Sequence, residues 1–157
     1  MKNVASLVLS ALCAGCIAIP TPYKTYDGPP LPPSAQALIF GPLGPPGMWG
    51  VPINGALIAC LDGVSLQSML GYGPGLAHPD KVFVTPGRHY LKAMYYRDRA
   101  YAHSSMWLDA QAGREYAIRS EVKGYSVRMW LEDTTTKEVV GGIPGGEPNP
   151  APRPMQC

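Results

Sequence analysis

Charge is what this 157-residue chain has least of. Asp, Glu, Lys and Arg make up 15% of it, 13 basic against 11 acidic side chains, for a formal net charge of +2; a globular domain usually carries about a quarter. No basic block stands out, so a nucleic acid, held through its phosphates by clustered Lys and Arg, has little to bind. Histidine is scarce too, with His78, His89 and His103 alone. No run of His and Cys has metal-ligand spacing, and no Gly-x-Ser-x-Gly elbow presents a nucleophile. Paired carboxylates in a recognisable catalytic arrangement are missing as well, and nothing calls for a cofactor. The longest apolar run, Val4 to Ile19, stops at Pro20, short of the roughly 20 residues that a membrane-spanning helix needs. No segment carries the apolar stripe of an amphipathic helix. What is abundant is Gly and Pro, 18 of each, clustered around one apolar stretch in the middle of the chain.

The chain opens Met1-Lys2-Asn3, one positive charge, followed by an apolar run from Val4 that closes on small residues at Ala14-Gly15. That order, basic then apolar then small, is the pattern of a secretory leader. Cys13-x-x-Cys16 has the spacing of a redox pair, but a thioredoxin-like site needs a neighbouring βαβ pattern to lower a thiol pKa, and none is present. Ala14-Gly15-Cys16 resembles the bacterial lipobox, with Cys13 standing where that family favours Leu. The resemblance implies cleavage before Cys16 and acylation there, and two or more acyl chains anchor a protein stably in a bilayer. Ile17, where inner-membrane lipoproteins usually carry Asp, implies the outer membrane of a double-membrane cell. Ordinary secretory cleavage after Gly15 or Ala18 is the alternative.

Cleavage leaves about 140 residues, one domain of ordinary size. Residues 17–35, "IAIPTPYKTYDGPPLPPSA", have no periodicity and dense proline, the composition of an extended polyproline II spacer. "QALIFG" reads as a first strand, and "GPLGPPGMWGVP" as a wide loop carrying Met48 and Trp49; its four Gly at a period of three cannot sustain a collagen helix. "ALIACLDGVSLQSML" is a strand, an Asp62-Gly63 turn and a second strand or short helical piece. "VFVTPGRHYLKAMYY" is two strands about Pro86-Gly87. "SMWLDA", "EYAIRSEV" and "YSVRMWLE" alternate apolar with polar at every second residue, as antiparallel strands with one dry face do. Gln111 to Arg114 reads as the turn of a hairpin between the first two of these, Lys123-Gly124 as the next turn, and Asp133 to Lys137 as the turn before a last strand near Glu138–Val140.

About seven short strands spaced by turn signals predict an all-β, antiparallel β-sandwich over 36–140. It follows a signal peptide at 1–15 and a tether at 16–35, and precedes a disordered tail at 141–157. After processing, Cys60 and Cys157 either pair, as an oxidising compartment permits, or stand as a buried thiol and a free one.

"VTPGRHYLKA" followed by "AGREYAIRSEV" is similar to the turn-and-strand pattern of small bacterial envelope lipoproteins with PEGA-like or transthyretin-like sandwich modules. That resemblance implies an Ig-like or transthyretin-like accessory domain and supplies no catalytic residues. The expected function is a lipid-anchored cell-envelope protein, not an enzyme, whose sandwich binds or braces an envelope protein, peptidoglycan or surface glycan. The alternative is an envelope hydrolase or metal-dependent enzyme using His78, Asp80 and loop residues. Trp107 and Trp130, with Arg119 and Arg128, fall on predicted outward faces. They would form a stripe suited to stacking on a sugar or a partner, which Tyr95, Tyr96 and Tyr101 extend, unless the other sheet or the Met48–Trp49 loop covers that face. His89 shares a face with Leu91, Ala93 and Tyr95 and is expected as a hydrogen-bonded histidine at a strand entrance.

Overall fold

A computed structural model describes residues 23–45, 53–66, 79–97, 100–142 and Cys157. The expected leader, the lipobox-like Ala14-Gly15-Cys16, the expected Met48–Trp49 loop, His78 and residues 143–156 lie outside them. The described residues form two sheets stacked as a β-sandwich, with no α-helix. In chain order the strands are β1 (Tyr23–Lys24), β2 (Ala37–Phe40), β3 (Asn54–Leu61), β4 (Val64–Ser65) and β5 (Lys81–Val84), then β6 (Gly87–Arg97), β7 (Ala100–Ala110), β8 (Glu115–Lys123), β9 (Ser126–Asp133) and β10 (Val139–Gly141). Seven have four or more residues, and three are short edge pieces. The first sheet runs β1-β5-β2-β8-β9-β10 and the second β4-β3-β6-β7. The first is mixed, because β1 runs parallel to β5 and β2 parallel to β8.

Alternation explains the core. Ile39, Val82, Val84, Ile118 and Leu131 of the first sheet meet Ile58, Leu91, Ala93, Met106 and Leu108 of the second. Each large aliphatic side chain removed from water this way contributes about 1.5–3 kcal/mol. β3 is buried on both sides. Its ladder with β6 shifts between Ile58 and Cys60, and on the far side from the core Leu57 and Ala59 pack with Met94 and Tyr96. The Tyr96 hydroxyl is buried there with no hydrogen-bond partner among the described residues, and burial, with the nearby Asp80 charge, pushes its pKa up.

Two of the two-residue turns stay within a sheet. Asp62-Gly63 joins β3 to β4 with both residues at positive φ, 50° and 83°; Asp-Gly satisfies that type I′ geometry and most other pairs do not. Gly124-Tyr125 joins β8 to β9. The segment from Gln111 to Arg114 does something else. β7 pairs with β6 and β8 with β9 and β2, so this turn crosses from one sheet to the other and the expected hairpin does not form. Thr85-Pro86 crosses the same way between β5 and β6.

The sandwich also begins earlier than residue 36. Tyr23 and Lys24 pair with Val82 and Phe83, and the Thr25 amide donates to the Phe83 carbonyl at 3.2 Å. The Tyr26 hydroxyl donates to Gln36 Oε1 at 2.7 Å while accepting from the Leu31 amide at 3.0 Å. Pro33–Ala35 is one turn of 3-10 helix. Residues 23–35 of the expected tether are therefore part of the folded domain. Cys60 and Cys157 are joined in a disulfide across 97 residues of sequence, with Cα atoms 6.2 Å apart, inside the usual 4.4–6.8 Å span.

Candidate functional site

The near end of the sandwich differs from the far corner formed by β6–β9; the far end is crossed too, where β2 leads to β3 of the other sheet and Pro42–Pro45 bond to Ile53–Ala56, but away from that corner. At the near end sit the β5–β6 and β7–β8 crossings, the β3–β4 turn and the β9–β10 turn, held by side-chain bonds. His89 Nδ1 lies 2.7 Å from Asp62 Oδ2 and its Nε2 lies 2.7 Å from the Thr85 carbonyl. Asp62 Oδ1 also accepts from the Tyr90 amide at 2.8 Å. With an acceptor at each ring nitrogen, His89 is a strut between turns and has no nitrogen left for a substrate. Arg88 forks onto Asp109 through two bonds of 2.8 Å and lies 5.0 Å over the Trp107 ring. Its hydrogen bonds hold the Asp109 carboxyl below its usual pKa. Asp133 is buried at the β9–β10 turn, where its Oδ1 accepts from the amides of Thr135 and Thr136 at 2.7 and 3.1 Å, with Arg114 3.6 Å away. Burial pushes its pKa up, but those amides with the charges of Arg114 and Lys137 outweigh burial and leave it lowered.

At the far end the hairpins β6–β7 and β8–β9 each turn back within their own sheets. Among the described residues no named hydrogen bond or ion pair ties the two hairpin tips together, and a space opens between their inner faces. The result is a cleft of about 510 Å³ lined chiefly by Tyr95, Ala102, Val122, Tyr125 and Val127, with Arg97 at its rim. Tyr95 and Val127 continue the core; Val122 and Tyr125 lie beyond it, exposed. Tyr101, also at the cleft, meets His103 edge to face with centroids 5.5 Å apart, and burial, with the Lys92 charge, lowers the His103 pKa. A second cavity among the described residues, about 260 Å³, is more polar and lies between β1 and the β3–β4 turn, against Tyr23, Tyr26, Asp62 and Val64.

The expected tryptophan–arginine stripe is not one surface. Trp130 stands opposite Arg119, and Arg128 opposite Glu121, all on the outer side of the first sheet, where Arg119 donates to Glu132 Oε1 at 2.8 and 3.2 Å. Trp107 belongs to the second sheet and stacks under Arg88. The stripe assumed that β7 and β8 were hairpin partners, and the crossing at residues 111–114 separates them. Asp80 sits half-buried beside β5, where its carbonyl accepts from the Gly41 amide at 2.8 Å. Among the described residues no group of three or more His, Cys, Asp or Glu is placed to hold a metal, and no helix is long and apolar enough to cross a membrane. Val122 and Tyr125 were not singled out from the sequence. The signal that could have found them is the length of the β6–β7 ribbon, eleven residues a strand, longer than the core requires. No family model, curated protein or solved structure matches this chain.

Proposed function

We propose that this is a lipid-anchored protein of the bacterial cell envelope whose β-sandwich is a non-catalytic binding module, with the far-end cleft as its binding site. The observation that carries the reading is the Cys60–Cys157 disulfide, in a chain whose first residues have the order of a secretory leader and include Ala14-Gly15-Cys16. Structural disulfides persist where the surroundings oxidise, which for a bacterium means outside the cytoplasm. A partly apolar concavity rimmed by tyrosines is the default place for a ligand or partner, and Tyr gives contact area at low entropic cost. The resemblance to small envelope lipoproteins points the same way and favours the outer membrane, with an envelope protein, peptidoglycan or glycan as partner.

The mass of the mature amino terminus tests the anchor. Loss of residues 1–15 and a diacylglyceryl plus acyl increment on Cys16 are expected; an intact leader or a bare Cys16 thiol contradicts it. In-cell crosslinking from a photoreactive residue at position 125 tests the site. An envelope partner is expected there and absent from position 137, on the near-end turn; the same products from both positions contradict the cleft.

A further inference from the structure

The fold shortens the tether. Residues 23–35 are held in the sandwich by strand pairing, the Tyr26–Gln36 bond and a 3-10 turn. Only Cys16 to Pro22, seven residues, then separates the acylation site from β1. Whatever its conformation, a chain of that length spans about 25 Å at most, and the headgroup layer takes up part of it. β1 is firmly placed at its end: Tyr23 and Lys24 pair with Val82 and Phe83, and the Thr25 amide and hydroxyl both donate to the Phe83 carbonyl, at 3.2 and 3.0 Å.

The register of the first sheet fixes where that attachment lies. Tyr23 pairs with Val82, Val82 with Ile39 and Ile39 with Tyr116, so Tyr23 stands level with the second residue of β8, at the near end. Lys123 ends β8, about 23 Å farther along the strands and about 14 Å across them, at roughly 3.3 Å a residue and 4.8 Å a strand. The cleft beside it therefore opens more than a tether's length from the attachment. Around β1 the surface is partly apolar. Tyr23 and Val64 are 49% and 59% exposed, and they line the same small cavity with Tyr26. Tyrosines suit the headgroup level of a bilayer, where one end of the ring is dry and the other wet. Lys24 sits there with Asp27 and Asp62, so the surface has no basic excess with which to attract anionic lipid.

We propose that the edge formed by β1 and the β3–β4 turn lies against the phospholipid surface, and that the far-end cleft is held away from it, open to the aqueous side. This rests on the lipid anchor and not on what the cleft binds. The short tether imposes the arrangement, Tyr23 and Val64 are the side chains that meet the lipid, and lipid charge plays no part. A partner then reaches the cleft from the aqueous compartment and not from within the membrane plane.

The test uses the full chain, purified from the membranes of expressing bacteria and reconstituted in phosphatidylcholine vesicles that carry spin-labelled headgroups. A fluorescent residue is placed at position 64 or at position 125, both exposed. Quenching at position 64 is expected to exceed that at position 125 about fivefold, and by the same factor when phosphatidylglycerol replaces part of the lipid. A flexible Gly-Ser insert of about twenty residues between Pro22 and Tyr23, whose typical reach is about 25 Å, should bring the two positions within about twofold of each other. Equal quenching without the insert, or stronger quenching at position 125, overturns the orientation; the latter would mean that the cleft corner is what meets the lipid. A ratio unmoved by the insert overturns the short tether as the cause. Failure of the chain to float with the vesicles would remove the anchor and this inference together, whereas a chain that floats and quenches equally at both positions leaves the anchor standing.

Discussion

Ile118 and Val122 lie on one face of one strand, four residues apart, and meet different fates. Ile118 is fully buried between the sheets, whereas Val122 is 41% exposed in the cleft. Nothing in their chemistry distinguishes them. The difference is distance from the near end, where the β5–β6 and β7–β8 crossings and polar struts gather. At the far corner two hairpins turn within their own sheets and leave their inner faces apart. Stability thus concentrates at one end and accessible apolar surface at the other, a division common between rigid scaffold and binding surface.

The contrast can be broken most severely from the near end. Cys157→Ser removes a cross-link spanning 97 residues, and the loop-entropy argument gives a loss of about 4–5 kcal/mol. Urea unfolding with and without reductant measures it, and the variant should match the reduced chain. Next comes the strand comparison itself. Ile118→Ala should cost about 2–5 kcal/mol, and Val122→Ala less than about 0.5; similar losses would mean the cleft is core. His89→Ala leaves Asp62 and the Thr85 carbonyl without their strut and should cost about 1–3 kcal/mol, read as a lowered urea midpoint.

Asp133 sharpens the contrast through pH. Its folded pKa lies below the ordinary carboxyl value of 3.8, so the carboxylate form stabilises the fold at pH values above that and the contribution fades as pH falls through the lowered value. Asp133→Asn should flatten the acid limb of a stability–pH curve and leave Val122→Ala epistatically silent. The smallest effect is expected at Tyr96. Its hydroxyl is buried without a partner among the described residues, so Tyr96→Phe should leave stability unchanged or raise it by up to about 1 kcal/mol, measured by thermal melting.

Much of the fold is legible in the residues and some is not, for reasons that can be named. Alternation at Met106–Ala110, Tyr116–Ile118 and Val127–Leu131 marks the inner faces correctly, because a strand's period is two whatever it pairs with. Asp62-Gly63 and Lys123-Gly124 announce turns through backbone chemistry that is local. Sheet membership is not local. Gln111 to Arg114 has the composition of a hairpin turn, yet its Gly113 amide donates to the Gln36 carbonyl at 2.8 Å, a contact from far back in the chain, and the strands part. β1 is hidden for the same reason. Its two residues pair with Val82 and Phe83, and the proline around them gives no sign of it. Of the cleft, Tyr95 and Tyr101 are visible as aromatics, but Val122 and Tyr125 look like the continuation of a core that ends before reaching them. Trp107 and Trp130 are conspicuous in the sequence by their size, but they belong to different sheets, which alternation alone does not reveal.

Amide hydrogen exchange along β7 in the free chain tests the division most directly. Ala102, at the cleft, should exchange markedly faster than Met106, which pairs with Leu91 in the core of the same ladder. Equal protection at Ala102 and Met106 would mean that the far corner is as closed as the core, and the contrast drawn between them would be wrong.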